Sequence, residues 1–105
     1  MACRVKHLVT YGLGPNWPFD GEIDIIEGIN LNTNNQMAIH STVGCYHSGN
    51  TDQLGSTGST DCSTGSGCTV EETSQNSYYT GFASAGGGVF ATQFDVSGIL
   101  CVLPI

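Results

Sequence analysis

Basic side chains are almost missing from this sequence: Lys and Arg together number two among 105 residues. Affinity for nucleic acid rests mainly on such cations meeting phosphates, so a phosphate-tracking surface is excluded. A formal net charge of −7 is equally wrong for an anionic membrane surface. No stretch approaches the ~20 apolar residues of a membrane-spanning helix. The start, MACRVKHLVTYGLGP, lacks the apolar run of ~7–15 residues that a secretory leader needs, so no signal peptide is expected in this chain. There is no N-x-[ST] glycosylation acceptor. Paired CxxC-type spacings, which a zinc site would want, are absent as well. The expectation is therefore no metal, no cofactor, no nucleic-acid partner and no membrane partner.

What is present is small and polar. The length suits one domain, 1–105, with a modest core. Gly numbers 15, and Ser, Thr and Asn are abundant. Low charge with many small polar residues suits an exported, monomeric protein that meets neutral, hydroxyl-rich partners. The five cysteines are Cys3, Cys45, Cys62, Cys68 and Cys101. They read as one or two disulfides formed in an oxidising compartment. An odd count leaves one thiol unpaired or paired outside the chain, and the connectivity stays open.

The chain reads as strands and loops. HLVTY at 7–11 is β-prone, and GLGPNWPFDG is a loop rich in turn formers. EIDIIEGIN is a strand rich in β-branched residues. NLNTNN is a polar turn. QMAIHST alternates apolar and polar, placing Met37 and Ile39 on one face and His40 on the other. Residues 43–69 read as one long loop, which is functional, disordered or clipped by cysteines. GVFATQFD and GILCVL are strands around a DVSG turn, with Pro104 ending the second. No segment has a convincing helical period. The class is all-β and antiparallel.

Within GEIDIIEG, residues 21–28, stand three carboxylates, Glu22, Asp24 and Glu27, among three isoleucines and two glycines. In a plain strand side chains alternate, so Glu22 and Asp24 share a face and Glu27 falls on the other. One β-bulge at Ile25–Ile26 restores Glu27 to the carboxylate face. Glu22 and Glu27 then behave like positions i and i+4, with Cα atoms ~13 Å apart at ~3.3 Å per residue. Leaning side chains on a twisted sheet can close that gap toward the ~5–5.5 Å of a retaining glycosidase. Glu22 would attack the anomeric carbon. Glu27 would protonate the departing oxygen and then activate water, which asks for a raised pKa. Asp24 would hydrogen-bond Glu22 and hold it in place. The plain alternative is a solvent-facing strand whose acids discourage edge pairing. The flanking glycines fit close backbone or ligand approach better.

GPNWPFDGEIDIIEGINLNTNNQMAIH closely resembles the catalytic strand region of glycoside hydrolase family 16, in particular fungal laminarinase-type endo-1,3(4)-β-glucanases. The signature is Glu-x-Asp-x-x-Glu, and the resemblance continues to GGGVFATQFDVSGI. It implies a concanavalin-like β-sandwich, a jelly roll with a glucan cleft on its concave face. It implies Glu22 as nucleophile, Asp24 as the assisting acid and Glu27 as acid/base. It also implies Trp17 as a sugar-stacking wall and His40 as a cleft-facing histidine near the acid/base. Each has a blander reading, as a core aromatic and a satisfied structural histidine. Asn35 and Gln36 could hydrogen-bond a glucose hydroxyl, although Asn-rich turns are common. His7 and His47 receive no role. The ends match the family poorly, so an internal, incomplete part of the domain is expected. Extracellular location follows from the resemblance.

Three functions are open at this point. The first is a retaining β-1,3 or mixed β-1,3/1,4 glucanase with glucan as partner. The second is a non-catalytic glucan-binding remnant, whose binding would fail in Trp17→Ala. The third is a disulfide-clipped structural protein with incidental acids.

Overall fold

A computed structural model describes residues 15–49, 53–95 and 98–102. In chain order it contains β1 (Glu22–Glu27), β2 (Gln36–His40), β3 (Ser56–Thr57), β4 (Cys68–Glu71), α1 (Tyr79–Ser84), β5 (Ala91–Asp95) and β6 (Gly98–Val102). The first four strands form one sheet in the order β1-β2-β4-β3, and β5 and β6 form a separate ribbon. Every pairing is antiparallel, as the alternating sequence patterns require. The expected strand at 7–11, together with Cys3, His7 and Pro104, lies outside the described residues.

The ladder assigns the faces. Residues directly opposite each other share a side of the sheet. Glu22 faces His40 and Asp24 faces Ala38, while Ala38 also faces Thr69 of β4. These residues line one face. The other carries Ile23 opposite Ile39 and Cys68, and Met37 opposite Val70. Ile23 and Ile25 are buried, with 2% and 7% exposure. Burying an Ile side chain contributes roughly 1.5–3 kcal/mol, so this apolar face fixes which way the acids point.

Two expectations need correction. The stretch 43–69 is not one loop. It supplies β3, the start of β4 and a bridge between Tyr46 and Asp61. A disulfide joins Cys62 to Cys68, and Cys45 packs with them as a small buried cluster beside Ile39. Of the three options for that stretch, the cysteine clip is the one observed. The second correction is α1, a single short helix where no helical period is visible. It has no buried residues, so no amphipathic stripe marks it. Its end is closed by Gly86 and Gly87, both in the left-handed region, whose N–H groups donate to Ala83 and Phe82 carbonyls. Phe82 also packs on Phe90.

Candidate active site

The bulge on β1 is present where the acid spacing demands it. Glu22, Ile23 and Asp24 pair regularly with His40, Ile39 and Ala38, and then Glu27 pairs with Gln36. Ile25 and Ile26 together therefore oppose Met37 alone. The extra residue returns Glu27 to the face that carries Glu22 and Asp24. An edge-guarding role would leave these acids in water, but Glu22 is only 8% exposed.

Each carboxylate has its own neighbours. The Trp17 indole N–H donates to Glu22 Oε2 at 2.8 Å. Gln36 Nε2 donates to Glu27 Oε2 at 3.1 Å. Asp24 lies between the two glutamates on the strand, near enough to Glu22 for the two carboxyls to influence each other's ionisation. His40 Nε2 stands 3.3 Å from Asp24 Oδ2, a close electrostatic contact without the alignment of a hydrogen bond. Burial first, then the negative charge of Glu22 and Glu27, pushes the Asp24 carboxyl up to about 6, against the opposing pull of His40. The acid that stands between the two glutamates is thus the one held above its ordinary range. A protonated Asp24 can donate to Glu22, and an ionised one only accepts.

Trp17 sits in a tight turn, with Phe19 and Asp20 N–H groups donating to the Asn16 carbonyl and a cis bond to Pro18. The residue is 39% exposed, and its ring lies tilted against the His40 ring, centroids 5.8 Å apart. One edge thus serves Glu22, while the residue as a whole remains partly open. Gly67 backs His40 from β4's approach: at φ +65 it adopts a conformation that favours glycine, and a Cβ there would press on the Ile39 carbonyl and the imidazole. Glu22, Asp24 and His40 each bring one donor atom within 4.8 Å of the others. That is close enough to share a divalent cation, although acidic groups are commonly grouped this way without one.

Asn35 departs from its expected place as a sugar contact. It is fully buried, and its amide bonds the bulge itself. Gln36 reaches a catalytic-candidate carboxylate rather than open cleft. The close approach at Gly28 comes from the Tyr78 ring, whose hydroxyl donates to the Gly28 carbonyl at 3.4 Å. The clue to Asn35 lies in the bulge: an inserted residue strands a carbonyl and an N–H, and an amide side chain can satisfy both.

Known proteins resemble this chain over most of its length. Residues 10–102 match the model of the XgeA-like, catalytic GH16 domain. A "Probable endo-1,3(4)-beta-glucanase" of Aspergillus fumigatus is 41% identical over 87 residues, which is 80% of this chain and 13% of that protein. Among solved structures, an elongating GH family 16 β-1,3-glucosyltransferase superposes with a TM-score of 0.78 at 40% identity, covering 88% of this chain and 32% of its own. Laminarinase 16A from Phanerochaete chrysosporium, holding 6-O-glucosyl-laminaritriose in donor and acceptor sites, gives 0.78 at 33% identity over 84% of this chain and 31% of its own. The antiparallel jelly-roll fold expected from sequence is shared with these structures, and the strands described here make up part of it. The chain spans about an eighth of the length of the curated relative, and under a third of the solved ones.

Proposed function

We propose that this chain, which belongs to the XgeA-like catalytic GH16 domains, carries the acid machinery of a retaining hydrolase for β-1,3 or mixed β-1,3/1,4 glucans. The observation that supports this reading best is the β1 bulge, which brings Glu22, Asp24 and Glu27 onto one face. In this reading residues 1–105 form a single, partial catalytic domain.

Glu22 attacks the anomeric carbon, and the glycosidic C–O bond breaks as Glu27 delivers its proton to the leaving oxygen. The indole N–H on Glu22 Oε2 fixes which oxygen is free to attack. Water then gives its proton to Glu27 and its oxygen to the anomeric carbon, releasing Glu22. Asp24 holds Glu22 through a hydrogen bond, and His40 limits how far the charge of Asp24 is suppressed. Trp17 offers its ring to an apolar sugar face. The partner is a neutral β-glucan, the acting species a monomer and the location extracellular, supported by the disulfide and the fungal glucanase relatives.

The likeness to a glucosyltransferase favours a second outcome at the same site, in which a glucan hydroxyl rather than water takes the sugar from Glu22. Product analysis with laminarin separates the two, since transfer yields longer chains. For either, Glu22→Gln abolishes laminarin conversion while the circular dichroism spectrum is retained. Equal reducing-sugar release by the native and substituted chains would overturn the assignment.

A further inference from the structure

We propose that Asn35, braced by Ser77, is a positioning residue that locks the β1 bulge and so determines which face Glu27 occupies. Its catalytic consequence rests on the glucanase reading above; its structural content does not.

The bulge takes two backbone groups of β1 out of the regular ladder. The Asn35 amide meets both. Its Nδ2 donates to the Ile25 carbonyl at 2.9 Å, and its Oδ1 accepts from the Glu27 N–H at 3.1 Å. One side chain thus spans the inserted residue as a strand neighbour would. Only one amide orientation works. Turning it over would set NH2 against the Glu27 N–H and oxygen against the Ile25 carbonyl, so the donor–acceptor pattern is an address for the bulged register.

The amide is held from behind. Asn35 has no solvent exposure and Ser77 only 1%. The Asn35 N–H donates to Ser77 Oγ at 2.9 Å, and Ser77 Oγ donates onward to the Ser74 carbonyl at 2.6 Å. The Asn35 carbonyl accepts from the Glu72 N–H at 2.8 Å. The turn at 72–77 thereby ties β1 to a segment far along the chain. Without the amide, the simple alternative is the unbulged pairing of Ile26 with Gln36. Because strand side chains alternate, that slip sends Glu27 to the opposite face and away from Gln36.

The test uses the full chain, labelled with 15N and 13C, in Asn35→Ala and Asn35→Asp forms. Cross-strand nuclear Overhauser effects read the register. The native chain pairs Glu27 with Gln36; Asn35→Ala is expected to pair Ile26 with Gln36 while Ile23 stays opposite Ile39. The Glu27 amide should also lose its protection from hydrogen exchange. Asn35→Asp provides rescue: the protonated acid can, as the amide does, offer a donor to the Ile25 carbonyl and an acceptor to the Glu27 N–H, and ionisation replaces that donor with charge facing the Ile25 carbonyl. Native register is therefore expected at low pH and lost as pH rises. Retention of the Glu27–Gln36 pairing in Asn35→Ala, or a pH-independent register in Asn35→Asp, would overturn the proposal.

Kinetics then test the catalytic consequence. A misplaced acid/base should reduce laminarin turnover by roughly 100-fold or more, given the ~10²–10⁴-fold that general acid–base catalysis supplies. A dinitrophenyl β-glucoside, whose leaving group needs no protonation, should lose less than about 10-fold in the same variant. If the native chain turns over neither substrate, the glucanase reading fails, and the register measurement still decides the role of Asn35.

Discussion

Asp24 carries an energetic cost that its neighbours impose. It is partly buried between two glutamates, and its carboxyl is pushed up to about 6 from an ordinary 3.8. A folded-state pKa above the unfolded one means that the folded chain holds more protons in between. Stability therefore falls as pH rises from about 4 to about 6 and stays reduced above that. Asp24→Asn removes this ionisation while leaving an amide that can donate to Glu22. The expected result is a urea midpoint above native at pH 7, with the gain shrinking toward pH 4. The same variant should lose glucan turnover at every pH, because neutral Asn cannot adjust its charge as Glu22 forms and breaks its bond. A stability gain independent of pH would show that desolvation and the paired glutamates are not the cause.

At the scale of elements, the segment behind β2 sets the His40 end of the site. Ser41 donates to the Cys62 carbonyl, Cys62 donates to the Cys45 carbonyl, and the Cys62–Cys68 bridge closes a short ring that contains Gly67. A ring of this length is worth roughly 2 kcal/mol through the entropy it removes from the unfolded chain. Cys62→Ala with Cys68→Ala should lower the unfolding free energy by about that amount, read as a lower urea midpoint. An unchanged midpoint would mean that β4 pairing alone holds the segment. These elements also show what is legible in sequence and what is not. The β1 bulge follows from EIDIIE, because acids at 22, 24 and 27 share a face only with one inserted residue. The faces of β2 follow from its alternation. β4 is only four residues long and emerges from a polar, Gly-rich stretch, so its pairing with β2 supplies the order that its own composition does not. The helix α1 is short and unburied, leaving no period to read. Asn35 is hidden among Asn30, Asn32 and Asn34, and only three-dimensional contact with Ile25 and Glu27 separates it from them.

For the molecule as a whole, the proposed glucanase reading makes charge the selector among polysaccharides. The chain carries nine acids against two bases, a formal net charge of −7. Three of those acids share one face of β1, where their fields add. A neutral β-glucan carries no charge for this field to act on. On the proposed reading its recognition would depend on hydroxyl hydrogen bonds and on Trp17, neither of which is screened strongly by salt. A carboxymethylated β-glucan has the same backbone but repels the cleft. Screening acts over about 8 Å at physiological ionic strength and about 30 Å at 0.01 M, so the repulsion should be felt mainly in dilute buffer. KM for neutral laminarin is therefore expected to stay flat as sodium chloride is raised. KM for the carboxymethylated polymer should be high in dilute buffer and fall as salt is added. A salt-dependent KM for the neutral polymer would mean that charge contacts hold the substrate. An anionic polymer bound as well as the neutral one in dilute buffer would mean that the three acids do not line the surface the glucan meets.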